Sequence, residues 1–207
     1  MSAITPADLR ARNLRTLAAL AALFLLPLAL AFFTYYGTAW RPGAHVNHGE
    51  LLSPVRPLPE VTLPRIEPAG GSGAPLPDRA PLFHGHWSLV YLGGGDCEAD
   101  CRRALYVMRQ TRLALNSDMT RVTRVFLATA DCCDREFLAR EHAGLEVRDA
   151  GGPAAAPLIA RFPAGGREHT LFIVDPLGNL LMGYDARGNP RGLLEDLKKL
   201  LALSHIG

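Results

Sequence analysis

The sequence predicts an α/β domain, a mixed sheet flanked by helices, that follows one apolar N-terminal helix and a proline-rich stalk. Three observations lead to this prediction. Runs typical of strands alternate with runs of helical spacing after about residue 82. An uncharged stretch near the N-terminus is long enough to cross a membrane. Nine prolines separate these two regions, all between residues 41 and 81.

The uncharged stretch comes first in the chain. No charged side chain lies between Arg15 and Arg41, and about twenty apolar residues span the hydrocarbon core of a bilayer. Arg10, Arg12 and Arg15 directly precede the stretch, so the positive-inside bias predicts a cytoplasmic N-terminus. The rest of the chain is then expected in the periplasm, anchored to a bacterial inner membrane by a single span.

A cleaved signal peptide is the alternative interpretation of this stretch. Ala29-Leu30-Ala31 fits a small-residue cleavage pattern, which would give a mature chain starting at Phe32. The apolar run continues through Phe33, however, and it is longer than a usual signal core. The length therefore favours an uncleaved anchor.

The segment after the anchor is rich in proline and is interrupted by Gly70-Gly71-Ser72-Gly73. Proline favours extended, semi-rigid conformations, and so polar a segment has little apolar surface to bury. We therefore expect a stalk that lifts a folded domain off the membrane. The predicted boundaries are 1–16 for the cytoplasmic N-terminus, 17–38 for the transmembrane anchor, 39–81 for the proline-rich linker and 82–207 for the folded domain.

The predicted elements of the domain follow one another at short intervals. Short runs that are apolar or rich in β-branched residues predict strands at 87–92, 122–129, 145–148, 169–174 and 180–184. Residues 175–179 (DPLGN) have the composition of a turn, and residues 151–156 (GGPAAA) that of a loop. Helical spacing of apolar residues predicts helices at 97–115, 134–142 and 190–203.

The order of these elements predicts the fold. A βαβ unit followed by a hairpin and a terminal helix is the thioredoxin-like arrangement, with a central mixed sheet and helices on both faces. The formal net charge of +2 gives no argument for a nucleic-acid partner, and we expect none. Four cysteines are too few for a small disulfide-stapled scaffold, which a domain of this size does not need.

Cys97 and Cys101 follow the first strand and a glycine turn, where the first helix is expected to begin. Free N–H groups and the dipole at a helix N-terminus stabilise a thiolate, and four-residue spacing places both sulfurs on one helix face. Three uses are open: a structural disulfide, thiol–disulfide exchange, and binding of a soft metal ion such as copper. A bridge across so short a loop adds little stability, which counts against the first.

Charged residues around the pair have opposite effects on a thiolate. Asp96, Glu98 and Asp100 disfavour it, whereas Arg102 and Arg103 favour it. The sequence does not decide between them.

His169 is a candidate third ligand for a soft metal. It begins a predicted strand, and in a thioredoxin-like sheet that strand starts beside the N-terminus of the first helix. A surface role is the alternative for His169. For His84 and His86, expected at the opposite end of the sheet, and for His45 and His48 in the stalk, a surface role is the better interpretation.

A second pair of cysteines, Cys132 and Cys133, follows the strand predicted at 122–129. Adjacent cysteines rarely bridge to each other because the ring is strained. Three roles stay open for them: small buried apolar residues, a further metal contact, or a resolving thiol for Cys97.

Together these features resemble the Sco/SenC proteins. The shared features are a single N-terminal anchor, a Cys-x-x-x-Cys motif at Cys97 and Cys101 after the first strand, and a histidine before an Asp-Pro-x-Gly turn. Residues 49–52 with 56–59, residues 97–110 and residues 171–182 are similar to Sco-like cytochrome oxidase assembly proteins of proteobacteria. Glu98 and Arg102 differ from the family, which usually has proline there, and His169 lies about two residues closer to the turn.

The resemblance implies an assembly factor with a thioredoxin fold, more a copper chaperone than an enzyme. It implies copper or redox roles for Cys97 and Cys101, and a copper-ligand role for His169. The implied partner is the CuA-bearing subunit of cytochrome c oxidase, whose centre such proteins help to mature. A general periplasmic thiol-disulfide oxidoreductase and a redox-inert adaptor of a membrane complex are the alternatives.

Overall fold

The computed structural model describes residues 6–37, 47–67, 81–94, 96–130, 134–204 and 206–207. The chain divides into two compact units, Met1–His45 and Val46–Gly207. The first unit contains one helix, α1 (Pro6–Gly37). Its part Arg12–Gly37 is long and apolar enough to cross a membrane, as the uncharged stretch predicted.

The second unit is built on one mixed sheet of six strands. The strands are β1 (Glu50–Pro57), β2 (Trp87–Gly93), β3 (Val122–Ala128), β4 (Glu146–Asp149), β5 (Thr170–Val174) and β6 (Asn179–Asp185). Their spatial order is β1-β6-β5-β2-β3-β4. β2 runs parallel to β3, and β3 to β4, whereas the other neighbours are antiparallel. β2 lies near the centre and is buried along its whole length, because each of its residues is flanked by covered faces.

Three helices cover one face of this sheet, which we call the helical face. They are α2 (Ala99–Leu113), α3 (Arg135–Glu141) and α5 (Pro190–Leu203). α2 buries Cys101, Leu105 and Met108, which recur at helical spacing. α5 begins where the side chain of Asn189 accepts a hydrogen bond from the N–H of Arg191. The predicted mixed sheet with flanking helices is confirmed.

The opposite face is covered mainly by extended chain. Residues 58–66, which we call the strap, cross it and bury Leu58 and Leu63 against the sheet. The short helix α4 (Ala156–Ile159) and Phe83 complete this cover. The loop predicted at residues 151–156 reaches only the first residue of α4, and Leu158 within α4 is buried.

The prediction that residues 39–81 form a linker throughout is wrong for the strap and for β1. β1 pairs with β6 as an edge strand. The strap continues to the other edge of the sheet, where the N–H of Ile66 donates to the carbonyl of Val147 at 3.0 Å. Pro64 accepts from the N–H of Asp149 at 2.8 Å. These long-range contacts make β1 and the strap part of the folded unit.

Candidate functional site

Cys97 and Cys101 form a disulfide at the carboxyl end of β2. Their Cα atoms are 4.9 Å apart, a separation that suits a disulfide. The predicted partnership of these two residues is therefore present in the structure, in its oxidised form.

The helix that carries the pair begins later than the sequence predicted. α2 starts at Ala99, so Cys101 lies in its first turn while Cys97 precedes the helix. The φ angle of Cys97 is 38°, in the left-handed region that costs about 1 kcal/mol or more for a residue with a Cβ. This backbone conformation turns Cys97 back towards Cys101, a geometry that spacing along one helix face does not predict.

Both cysteines are buried in the disulfide form. Cys97 is 3% exposed and Cys101 is 5% exposed. They form the floor of a cleft of about 490 Å³, which we call the cysteine cleft. The cleft therefore gives a reagent or partner a route to the sulfurs.

Carboxylates surround the cysteine cleft. Its lining includes Asp96, Glu98, Asp100 and Glu168, and none of the described lining residues is basic. Tyr91 forms part of the wall, and burial, Asp100 and Glu168, in that order, raise its pKa to about 12. Tyr91 is therefore a neutral phenol at physiological pH, and the charge around the cleft is negative.

The hydroxyl of Tyr91 determines which residue before β5 borders this cleft. It donates a hydrogen bond of 2.8 Å to the backbone carbonyl of Glu168, which lies in a 3₁₀ turn, Arg167–His169. The bond fixes the turn against β2, and Glu168 lines the cysteine cleft as a result.

His169, the predicted third metal ligand, lines a different cleft. This cavity of about 450 Å³, which we call the histidine cleft, is bordered by His169 and His48. His169 Nδ1 lies 3.4 Å from a carboxylate oxygen of Glu168, and Nε2 lies 4.0 Å from one of Asp185. Within the described ranges, no group of three or more His, Cys, Asp or Glu residues is placed to hold a metal ion. None of the contacts of the described residues joins His169 to Cys97 or Cys101.

Arg102 connects the cysteine pair to the next helix. Its Nε donates to the carbonyl of Cys97 at 3.2 Å, and its guanidinium lies 4.4 Å from the centre of the Phe137 ring. It also approaches the carboxylate of Asp134 at 3.6 Å. Asp134 in turn accepts from the N–H of Phe137 at the start of α3. The sequence did not indicate that Arg102 would contact residues of another element.

His48 has a structural contact that its predicted place in the stalk did not suggest. Its backbone N–H donates to the carboxylate of Asp196 at 2.5 Å, and its Nδ1 lies 3.2 Å from the same carboxylate. Tyr184 donates its hydroxyl to Asp196 at 2.5 Å. In the sequence, Asp196 is a polar residue within the apolar stripe of α5, and this gives only a weak indication of its contacts.

The other predicted residues are placed as follows. His84 pairs with Leu177 near the hairpin between β5 and β6, at the end of the sheet away from the cysteines, as predicted. Cys132, Cys133 and His45 lie outside the described residues.

The fold and the site together define a class of protein: a thioredoxin-fold domain with a cysteine pair at the end of its central strand, carried by a chain with one membrane-length helix. Residues 87–204 match the family model described as "Transmembrane-like, thioredoxin-like, C-terminal domain". The chain belongs to this family. No curated protein matches it in sequence.

Solved structures of similar fold include Sco proteins. Yeast Sco1 with copper bound has a TM-score of 0.51 and 13% identity, covering 59% of this chain and 82% of Sco1. A second crystal structure of yeast Sco1 has a TM-score of 0.50 and 12% identity, with coverages of 59% and 87%. The bacterioferritin comigratory protein of Xanthomonas campestris has a TM-score of 0.47 and 15% identity, with coverages of 74% and 99%. The predicted likeness to Sco proteins is confirmed as a likeness of fold.

Proposed function

We propose that this protein is a Sco-like assembly factor for cytochrome c oxidase, which binds copper or reduces disulfides through Cys97 and Cys101. The observation that carries the proposal is the pairing of these two cysteines on the floor of an open cleft at the end of the central strand. A purely structural bridge at this position would close a loop too short to add much stability.

The donor set suits Cu(I) as a cargo. Reduction of the disulfide yields two thiolates, which are soft ligands that select Cu(I). Yeast Sco1, which has the same fold, is known with copper bound. We assign the copper contacts to Cys97 and Cys101, and His169 stays a predicted third ligand that the geometry of the oxidised form does not favour.

The same pair suits reduction of a target disulfide. The thiolate of Cys97 would attack one sulfur of the target, forming a mixed disulfide and releasing the other target sulfur as a thiolate. Cys101 would then attack the sulfur of Cys97, which releases the reduced target and forms the Cys97–Cys101 bridge. A dithiol reductant would complete the cycle by returning two electrons and two protons to the pair.

The proposed location is the periplasmic side of a bacterial inner membrane. Three arginines precede the apolar part of α1, which predicts a cytoplasmic N-terminus. A disulfide also persists best in an oxidising compartment. The proposed partner is the CuA-bearing subunit of cytochrome c oxidase, whose copper site matures on that side.

Complementation in the host cell tests this function. In a strain that lacks the gene, we expect low oxidase activity and a weak CuA absorption band at limiting copper. The native gene should restore both, and the double variant Cys97→Ser/Cys101→Ser should not. Full restoration by the double variant would instead support a redox-inert adaptor. Rescue of general disulfide stress without any effect on the oxidase would support a general thiol-disulfide oxidoreductase.

A further inference from the structure

The charge of the cysteine cleft has a consequence for what can enter it. Within the described part of the chain, the cleft that both buried sulfurs border is lined by Asp96, Glu98, Asp100 and Glu168. Negative charges around an access route concentrate cations and exclude anions, because the field acts on a reactant before contact.

Glu168 is held at this position by the fold. The hydrogen bond from Tyr91 to the Glu168 carbonyl fixes the 3₁₀ turn that carries it. Asp100 lies in the first turn of α2. Both carboxylates raise the pKa of Tyr91, after burial as the larger cause, so the charges of two separate elements act on the same cleft wall.

Two nearby arginines, Arg102 and Arg187, make their side-chain ion pairs with carboxylates that do not line the cleft. Arg102 contacts Asp134 and the Phe137 ring. Arg187 is bound through two nitrogens to the carboxylate of Asp185, at 3.0 and 2.9 Å. Neither arginine lines the cleft. The charge of Arg187 acts on Asp100 and Glu168 from outside, but the described walls themselves carry four carboxylates and no basic side chain.

We propose that the cysteine cleft selects a positively charged partner segment, a peptide that carries lysine or arginine beside its reactive cysteine. The inference rests on the proposed thiol chemistry of Cys97 and Cys101, and it names the chemical class of the partner. Glu168 and Asp100 are its specificity-determining residues. Such charge complementarity acts mainly on the rate of association.

Three small thiols of nearly equal size and different charge probe this selection: cysteamine (positive), 2-mercaptoethanol (neutral) and 2-mercaptoethanesulfonate (negative). In each case the probe thiolate attacks the disulfide, forms a mixed disulfide with one cysteine and releases the other as a thiolate. A second probe thiolate then attacks the mixed disulfide, giving the reduced pair and the oxidised probe. The probe is the reductant, and protons from solvent neutralise the thiolates formed.

The experiment uses the full chain in neutral detergent, with Cys132→Ser and Cys133→Ser so that one pair reacts. Reduction is followed by alkylation and mass spectrometry, and each rate constant is divided by the thiolate fraction of the probe. At low ionic strength we expect cysteamine to react about tenfold faster than the sulfonate. The ratio should fall towards one in 0.5 M salt, because a Debye length of a few ångströms screens the cleft.

Variants that remove carboxylate charges test which residues cause the difference in rate between the probes. Glu168→Gln combined with Asp100→Asn should reduce the ratio at least threefold at low salt. Glu60→Gln removes one charge from the strap, which contacts the hairpin at the opposite end of the sheet, and should leave the ratio unchanged.

The outcomes separate the two proposals. Reduction of the disulfide at equal rates by the three probes would overturn the charge selection and leave the proposed function intact. An equal decrease of the ratio in Glu60→Gln would also overturn it. A disulfide that none of the probes reduces would contradict the proposed function itself.

Discussion

The backbone N–H of His48 donates a hydrogen bond of 2.5 Å to the carboxylate of Asp196, 148 residues later in the chain. Asp196 is buried within α5, and it also accepts from the N–H of Gly49 at 3.2 Å and from the hydroxyl of Tyr184 at 2.5 Å. One carboxylate thus joins the start of the folded unit to its last helix. His48 and Gly49 are therefore fastened to α5.

Asp196→Asn should destabilise the domain by about 2–3 kcal/mol, because the N–H groups of His48 and Gly49 and the hydroxyl of Tyr184 all donate to Oδ2 and lose a charged acceptor. Urea unfolding of the full chain in neutral detergent measures this change. Glu195→Gln is the matched control, since Glu195 is half-exposed and contacts only the outer edge of His48. Equal effects of the two substitutions would contradict a specific role of the buried carboxylate.

The same carboxylate predicts a loss of stability in acid. Burial alone would raise the pKa of Asp196, but hydrogen bonds from Tyr184, His48 and Gly49 hold it below its ordinary value. The unfolded chain therefore takes up the proton first, and the stabilisation present above about pH 4 is lost as the pH falls further. Asp196→Asn should flatten this part of the pH profile of unfolding.

The strap predicts a strong contrast between two leucines. Leu63 is 3% exposed on the sheet face that the strap covers, whereas Leu51 on the edge strand β1 is 51% exposed. Leu63→Ala should cost about 2–4 kcal/mol, because it leaves a cavity. Leu51→Ala should change stability by less than about 0.5 kcal/mol. Similar small effects at both positions in urea unfolding would show that the strap is a loose linker.

Two adjacent glycines beside the cysteine cleft should respond differently to alanine. A Cβ at Gly93 would lie 2.6 Å from a ring carbon of Tyr91, whereas a Cβ at Gly94 would meet no atom within 4 Å. Gly93→Ala should therefore displace Tyr91, weaken its bond to the Glu168 carbonyl and cost about 1–3 kcal/mol. Gly94→Ala should be within about 0.5 kcal/mol of the native protein. If thermal unfolding does not distinguish them, Tyr91 is not packed as described.

His142 makes the free energy of unfolding depend on pH between about pH 4 and pH 6.5. Burial, with Arg109 and Arg124 nearby, lowers its pKa from 6.5 to about 4, although Glu141 acts in the opposite direction. As the pH falls, His142 takes up a proton in the unfolded chain before it does so in the folded protein. Its contribution to stability is therefore fully present above about pH 6.5, and the free energy of unfolding falls by on the order of 3 kcal/mol towards pH 4. His142→Leu should lack this decrease in urea unfolding between these pH values. Parallel profiles of the two proteins would contradict the assignment.

Local patterns predicted most of the sheet and the terminal helix. The continuous apolar run of β2 and the leucine spacing of α5 depend on neighbours in sequence, and both elements are present. The strap escaped prediction because Leu58 and Leu63 stand among prolines without a period, and their partners lie far away in the chain. Propensity does not report such distant contacts.

The site was predicted in part, for a similar reason. The strand and glycine turn before Cys97 indicated the position of the cysteine pair, but the spacing of the two cysteines did not indicate the left-handed φ of Cys97 or the later start of α2. Whether Glu168 or His169 borders the cysteines is decided by the phase of one 3₁₀ turn. The hydrogen bond from Tyr91 to the carbonyl of Glu168 joins residues far apart in the chain, so it cannot be read from the local sequence.

The most direct test of the central claim is an anaerobic titration of the reduced full chain with Cu(I), against a competing chelator, with Cys132 and Cys133 replaced by serine. We expect one Cu(I) per chain, lost in Cys97→Ser and in Cys101→Ser, because both thiolates of the cleft are needed. His169→Ala should retain binding if the metal is held by the two sulfurs alone. Absence of binding would contradict the copper role and leave disulfide reduction as the function of the pair, and binding that survives both cysteine substitutions would contradict the assignment of the copper contacts.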